Sequence, residues 1–434
     1  MQMDVPGLTA ESLADWLHYL ESLHPSTIEM GLERVANVRS ELGLIPRFPI
    51  ITVGGTNGKG SVCAMLEAIL QSAGYKVGCY TSPHLVRFNE RIRIDGKEID
   101  SESLCLAFSQ VEVARRDCHT PLTFFEFSTL AAMRWFIQTR VDVAILEIGL
   151  GGRLDAVNIF DPDCAILTSI DLDHMEYLGN TREEIGFEKA AIFRQSKPAI
   201  CAEIDIPDSV YQQARKIEAH LSRFSKEFGF QSKINQWDYW GPRGWRHSLP
   251  VPTLRGDKQL QNASACLAAL DEVNELLPVN MKDIRQGLIK AAIPGRFQVV
   301  STQPMIILDV AHNPAAAAVL AQNLTATQCA GRTYAVFSML QDKDIQGVVQ
   351  KLKDEIDVWL LFPIQSPRAA TVEHIVQEIH AADFLRGNQS IYRFSDGAEA
   401  FAFACEQAAK NDRICIFGSF YTVGDVLNQL HMSS

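Results

Sequence analysis

Apolar and polar positions follow two periods along most of the chain: short solid apolar runs, and stretches that repeat every three to four residues. Residues 10–42 carry Leu13, Trp16, Leu17 and Leu20 at helical spacing, and a second helix is expected from about Ser26–Thr27. Apolar runs at 49–53, 76–80, 141–148 and 163–170 read as buried strands with amphipathic helices between them. One of these, 61–72, places Val62, Met65, Leu66 and Ile69 on one face and ends at Gly74, a suitable C-cap. The pattern breaks at 231–256, where Trp237, Trp240 and Trp245 stand among glycines and prolines and predict irregular or short antiparallel structure. Helices follow at 261–276 and on to about 292, and Pro294-Gly295 reads as a hinge. Alternation then resumes, with strands at 305–310, 333–338, 357–362 and 413–417 and helices at 314–323, 344–353, 371–380 and 423–431. Such alternation predicts mostly parallel sheets covered by helices. A larger α/β domain is expected at 1–295 and a smaller one at 296–434, with no repeat or low-complexity tract.

Composition narrows the function classes. Of 434 residues, 47% are hydrophobic and 21% charged, which excludes a disordered chain, a collagen-like fibre and a coiled coil. Fifty-two acidic against forty basic residues, a net charge of −12, argues against a nucleic-acid partner. It suits an enzyme of small molecules that holds anionic ligands by local cations, metal or backbone dipoles. Ten scattered cysteines with no CxxC pair read as small buried hydrophobes in a reducing compartment. The first residues lack a basic segment followed by an apolar core, and no run of ~18 apolar residues occurs, so a cytoplasmic protein with no membrane partner is expected.

The clearest chemistry lies at 54–61, Gly54-Gly55-Thr56-Asn57-Gly58-Lys59-Gly60-Ser61, between an apolar run and an amphipathic helix. Glycines let backbone N–H groups turn inward, and the helix N-terminus adds positive dipole. Lys59 is placed to reach outer phosphates and Ser61 to face a magnesium ion. The GxxxxGK[ST] form is not met, because Gly60 separates the lysine from Ser61. Further strand ends carry Thr81-Ser82-Pro83-His84, Glu147 before Gly149-Leu150-Gly151-Gly152-Arg153-Leu154-Asp155, and Asp171-Leu172-Asp173-His174. Open α/β sheets bind ligands at the carboxyl ends of their strands, so Ser82 and Glu147 are candidate magnesium ligands; His174 is a less typical one. Thr181-Arg182-Glu183-Glu184 forms a capping box that opens a helix containing Lys189, which on its own reads as a solvated lysine. In the second domain, Asp309 at a strand end is placed to hold a ribose hydroxyl, His312 to contact substrate and Arg296 at the domain junction to reach a phosphate.

Together these segments closely resemble the bacterial dihydrofolate synthase/folylpolyglutamate synthase family, within the wider Mur-ligase group of ATP-dependent amide ligases. The resemblance spans nearly the whole chain through GTNGKGS at 55–61, TSPHL at 81–85, LTFFE at 122–126, EIGLGGRLDAVN at 147–158, DHMEYLG at 173–179, EKAAIFR at 188–194, PGRFQ at 294–298 and DVAHNP at 309–314. It implies a P-loop NTPase-like, mostly parallel N-terminal domain and a smaller Rossmann-like C-terminal domain. It implies ATP on Asn57, Gly58, Lys59, Gly60, Ser61, Asn262, Arg296 and Asp309, and magnesium on Ser82, Glu147 and His174. It also implies carbamylation of Lys189, which would make it a further metal-holding group. Pterin binding falls on Thr27, Ile28, Glu29 and Met30, on Thr123, Phe124, Phe125 and Glu126, and on Arg153, Leu154, Asp155 and Ala156. Lys59, Lys189 and His312 are the expected catalytic residues. One departure is Tyr421, where some relatives carry histidine.

The implied reaction joins L-glutamate to dihydropteroate and to reduced folates through an acyl phosphate, in folate biosynthesis and one-carbon metabolism, by a monomeric enzyme. Closure of the second domain over ATP would exclude water from that acyl phosphate. Three alternatives are a folylpolyglutamate synthase alone, a Mur-type ligase of UDP-linked peptides, and a nucleotide-driven switch. The aromatic LTFFE stretch and the Thr27 region favour a flat pterin over a UDP-peptide. A guanine-reading NKxD motif, expected of a GTPase-like switch, is absent.

Overall fold

A computed structural model describes residues 12–24, 28–256, 258–327, 329–382 and 390–432 of the chain. It divides into two compact units: the first takes 1–83, 88–253 and 258–292, the second 84–87, 254–257 and 293–434.

The first unit is built on β1 (Ile50–Gly54), β2 (Val77–Tyr80), β3 (Ile92–Ile94), β4 (Lys97–Glu98), β5 (Val143–Glu147), β6 (Cys164–Leu167), β7 (Pro198–Cys201) and β8 (His220–Arg223). Their order is β4-β3-β2-β5-β1-β6-β7-β8, parallel except where β3 joins β2 and β4. β1, β2, β5 and β6 are buried along their whole length, which is why they appear in the sequence as solid apolar runs rather than alternating ones. After β1 the chain crosses to β2 on one side, whereas β6, β7 and β8 extend the sheet on the other. The carboxyl end of β1 is therefore a switch point, where the connections diverge and leave a crevice.

The helix Lys59–Ser72 is buried at every residue from Ser61 to Leu70, not on one face alone as its periodicity suggests. The helices Gln259–Glu272 and Met281–Lys290 pack over its outer side; a Cβ at Gly287 would stand 2.4 Å from Ile69 Cα, so those backbones nearly touch. The opposite face of the sheet is covered by Leu13–Ser22, Glu33–Glu41, Ser101–Asp117 and Phe124–Thr139. The second of these begins at Glu33 rather than near 26–27, because 28–30 forms an irregular segment drawn back by Arg34, whose Nη2 donates to Glu29 O at 2.9 Å. The break at 231–256 contains a three-stranded antiparallel sheet of β9 (Gly229–Lys233), β10 (Gln236–Gly241) and β11 (Gly244–Pro250). Trp237 and Tyr239 are its buried anchors, and Tyr239 donates its hydroxyl to Asp271 at 2.9 Å.

The second unit carries β12 (Gln298–Thr302), β13 (Met305–Leu308), β14 (Thr333–Phe337), β15 (Val358–Leu361), β16 (Ser390–Arg393) and β17 (Arg413–Phe417). They are ordered β12-β13-β17-β14-β15-β16 and parallel apart from β12. Alternate residues feed two cores. Ile307, Phe337, Trp359 and Phe417 pack under Pro314–Ala326, Ile345–Leu352 and Val372–Ala381, while Leu308, Val336, Leu360 and Ile416 pack under Gly397–Gln407 and Phe420–Met432.

Candidate active site

Gly54 ends β1, and the chain turns through Gly55 and Gly58 into the helix Lys59–Ser72. Gly58 sits at the N-cap with φ +90°, a backbone that side chains rarely adopt, and no side chain caps the first turn. The first-turn N–H groups of Lys59, Gly60 and Ser61 therefore form an anion-binding end. The loop is held in shape from the end of β6. Thr56 N donates to Ser169 O at 2.7 Å and Asn57 N to Ser169 Oγ at 2.9 Å, while Thr168 Oγ1 and Ser169 Oγ donate to Asn57 O at 2.6 and 3.0 Å. Lys59 Nζ folds back onto the loop, donating to Gly55 O at 3.1 Å and Thr56 O at 3.3 Å. Ser61 Oγ accepts from Gln259 Nε2 at 3.3 Å, and Asn262 Oδ1 lies 3.0 Å from the position of a Cβ on Gly58. Asn57, Gly58, Lys59, Gly60, Ser61 and Asn262 thus share one place in the first unit. Thr168 and Ser169 escaped the reading of the sequence; two successive hydroxyls closing an apolar run were the signal available.

At the next strand ends, Ser82 N donates to Glu147 Oε2 at 3.1 Å, joining the loop after β2 to the end of β5. Glu147 is buried, and His174 caps the short helix Met175–Leu178 with a left-handed backbone, its Nε2 3.9 Å from Asp173 Oδ2. Glu147 and His174 are the only two of the expected ligands that are His, Cys, Asp or Glu, and among the described residues no group of three such side chains forms. Lys189 lies in Arg182–Ala190, the helix opened by the Thr181/Glu184 capping box, and it is not solvated: it is 4% exposed. Burial, helped by the charge of Lys59, pushes its ammonium down to about 7, against the opposing pull of Asp173 and Asp155. A solvated-lysine reading of Lys189 is thereby replaced by that of a buried amine beside the phosphate loop. Asp173 stood in the strand-end run before His174 without a role of its own; the structure sets its charge against the buried Lys189 amine.

The expected pterin segments converge in this same unit. Thr27 lies outside the described residues, and Ile28, Glu29 and Met30 form an irregular stretch. Met30 Cε stands 3.8 Å from the Cβ position of Gly151, and a Cβ at Gly149 would fall 2.6 Å from Phe125 Cζ. Thr123 and Glu126 form the capping box of Phe124–Thr139. Phe125 lies against Tyr80, with centroids 5.9 Å apart, whereas Phe124 packs edge-on to Phe88 and beneath Arg91. Arg153 is tied to the Lys189 helix: its N donates to Glu188 O at 2.9 Å and its Nε to Glu188 Oε1 at 3.0 Å. Leu154 is half-buried and Ala156 buried at the start of a short turn. Asp155 accepts from Leu150 N at 2.8 Å and Val157 N at 3.0 Å, and burial raises its carboxyl to about 6 despite those donors.

In the second unit, Asp309 follows β13 and accepts from Phe297 N and Ala311 N, both at 2.8 Å. Burial raises its carboxyl, and the nearby Arg296 charge opposes that shift. Arg296 lies over Phe420 at 5.8 Å, with the His312 ring 6.1 Å from the same phenyl. Arg296, Asp309 and His312 thus gather at the carboxyl end of β13.

Two family models match the chain: the Mur ligase middle domain over 53–270 and the Mur ligase glutamate ligase domain over 295–420. The dihydrofolate synthase/folylpolyglutamate synthase of Escherichia coli K12 is 44% identical over 419 residues, 96% of this chain and 95% of that protein. The chain belongs to the dihydrofolate synthase/folylpolyglutamate synthase family. The Haemophilus influenzae dihydrofolate synthase/folylpolyglutamate synthase is 38% identical over 95% of this chain and 96% of its own. Among solved members, E. coli FolC in complex with DHPP and ADP aligns with TM-score 0.91 at 43% identity, covering 98% of this chain and 99% of that one. A bifunctional folylpolyglutamate synthase/dihydrofolate synthase with Mn, AMPPNP and L-glutamate bound aligns with TM-score 0.89 at 44% identity over 99% and 100%. Like its relatives in the dihydrofolate synthase/folylpolyglutamate synthase family, this chain is an ATP-dependent amide ligase with the mixed α/β architecture expected. No helix among the described residues is long and apolar enough to cross a membrane.

Proposed function

We propose that this chain is bifunctional, adding L-glutamate to dihydropteroate and to reduced folates. The observation that carries the reading is the convergence within one unit of the uncapped phosphate loop, the buried Lys189 amine, and the segments holding Met30, Phe125 and Asp155. The substrate carboxylate attacks the γ-phosphorus of ATP, an O–P bond forms, and ADP leaves. The neutral amine of glutamate then attacks the acyl carbon, the amide bond forms as the acyl–phosphate bond breaks, and the amine's proton leaves with the departing phosphate. Lys59 and Arg296 neutralise phosphate charge, Asp309 and Asn262 complete the ATP contacts, and His312 positions substrate. Catalysis rests on alignment and fixed charge rather than on a covalent enzyme intermediate.

Ser82, Glu147 and His174 offer a hydroxyl, a carboxylate and an imidazole, a donor set able to hold a divalent ion, and the buried carboxylate supplies most of its charge. Magnesium, when bound there, screens the charge that builds up on the phosphates. Lys189, whose burial pushes its ammonium down to about 7, adds to CO2 through its neutral amine and releases a proton, leaving a carbamate as a further oxygen donor. The ten cysteines are all free thiols, which suits a cytoplasmic enzyme, here proposed to act as a monomer.

The test is ADP release with ATP, dihydropteroate and glutamate, omitting each in turn, then with a reduced folate in place of dihydropteroate. Release that requires all three, with either acid, is the expected result. Release with the folate alone marks a folylpolyglutamate synthase; release without acid or amine marks a nucleotide switch.

A further inference from the structure

Among the acid-substrate segments runs a chain of ion pairs centred on Arg34, on the first turn of the helix Glu33–Glu41. Its Nη1 pairs with Glu29 Oε1, and its Nη2 donates both to Glu29 O at 2.9 Å and to Glu126 Oε1 at 3.0 Å. The other oxygen of Glu126 accepts from Thr123 N at 2.7 Å, closing the capping box of Phe124–Thr139. The other oxygen of Glu29 meets His24 Nε2 at 3.0 Å. One guanidinium therefore bridges a solvent-facing carboxylate at 29, five residues before it, and a carboxylate at 126, 92 residues after it, that is 4% exposed. Five residues along the same helix, Arg39 Nη1 donates to Ile159 O at 2.7 Å, at the end of the turn that follows Arg153–Asp155. The helix thus reaches the second segment through Arg34 and the turn after the third through Arg39, and Arg34 also holds the first.

We propose that Arg34 is a positioning residue for the acid substrate: it fastens segment 28–30 to the head of Phe124–Thr139 and so sets affinity for dihydropteroate and reduced folates. This rests on the reading of those segments as the pterin site. Arg34 takes no part in phosphoryl or amide chemistry. Segment 28–30 has no regular secondary structure, so its conformation depends on side-chain anchors. A planar fork serves two carboxylates and a carbonyl at once, whereas a lysine ammonium on a flexible stem cannot span them equally well. Removing the fork leaves Glu126 buried without its guanidinium partner and unfastens it from Glu29.

Steady-state kinetics with each substrate varied in turn test this on Arg34→Ala, Arg34→Lys, Glu29→Ala and the double variant Arg34→Ala/Glu29→Ala. Arg223→Ala, which breaks an ion pair with Glu227 at the edge strand β8, controls for loss of any surface arginine. Arg34→Ala should raise KM for dihydropteroate and for a reduced folate at least about tenfold, with KM for ATP and glutamate within about twofold and kcat little changed. Arg34→Lys should fall between, and the double variant should be no worse than Arg34→Ala. An unchanged pterin KM in Arg34→Ala, or an equal rise in all three KM values, overturns the role. Should Arg34→Ala fail to fold, Glu29→Ala carries the same test, and its unchanged pterin KM overturns the role as well. Wild-type protein with no pterin-dependent ADP release sinks the ligase reading itself; wild-type turnover with an indifferent Arg34→Ala sinks only Arg34.

Discussion

The backbone N–H of Ser82 donates to Oε2 of Glu147 at 3.1 Å, so two strand ends, β2 and β5, are tied through one buried carboxylate. A carboxylate held by a backbone donor is fixed in direction, which suits a metal-type donor. Glu147→Gln keeps an acceptor for Ser82 N and removes the charge. It should weaken divalent-ion affinity at least about tenfold, read by electron paramagnetic resonance of added Mn2+ as well as by the metal dependence of turnover. Wild-type Mn2+ affinity in this variant would remove Glu147 from the metal site.

Lys59 has two partners in the loop it serves, the carbonyls of Gly55 and Thr56. A γ-phosphate offers it stronger, charge-assisted hydrogen bonds than two neutral carbonyls. Lys59→Ala should cut kcat/KM on the order of 10²–10³-fold, the scale of losing one preorganised charge stabiliser. The fold should remain intact, with circular dichroism and thermal unfolding close to wild type. Retained ADP release dependent on acid and glutamate would contradict the assignment.

Lys189 gives a prediction with a sign. In the unfolded chain the amine titrates near its ordinary 10.5, and in the folded protein at about 7. Between these values the unfolded state holds a proton that the folded state does not, so stability rises as pH climbs from about 7 towards 10.5. Lys189→Met abolishes that contribution. Urea unfolding in carbonate-free buffer across this window should show the wild type gaining on the variant with pH; parallel curves would contradict the buried-amine placement. For catalysis, Lys189→Ala should lose ligation and recover part of it with added short carboxylic acids. Full activity without rescue would remove the carbamate from the mechanism.

How much of this was visible beforehand follows from the range of each interaction. Buried strands such as Ile50–Gly54 and Thr333–Phe337 are continuous apolar runs, and the glycines of the phosphate loop are a local backbone demand. Both show in a single stretch of sequence. The edge strand Lys97–Glu98 and its neighbour Ile92–Ile94 are short and carry charge, so they leave no apolar run. The Lys189 environment is assembled from Lys59, Asp155 and Asp173, and the Arg34 bridge joins positions 92 apart; neither is encoded by local spacing. The family resemblance named the pterin segments, but it gave Arg34, which fastens one to another, no role of its own.

Gly149 marks where the acid-substrate site has no room to spare. A Cβ there would stand 2.6 Å from Phe125 Cζ and 2.9 Å from Cε2, closer than side-chain carbons approach one another. Phe125 is not free to retreat at will, because its ring also packs against the fully buried Tyr80. Gly149→Ala therefore forces the phenyl toward the segment holding Met30 or bends the loop that carries Arg153 and Asp155. Overpacking of this kind costs about 1–3 kcal/mol, and here the strain falls on two of the three pterin segments. The expected outcome is a higher KM for dihydropteroate and reduced folates with nucleotide affinity unchanged, because the phosphate loop is anchored separately through Thr168 and Ser169. Isothermal titration with ADP alongside pterin kinetics separates the two. A variant that loses ADP binding but keeps its pterin KM would place the Gly149 turn with the nucleotide instead of the acid.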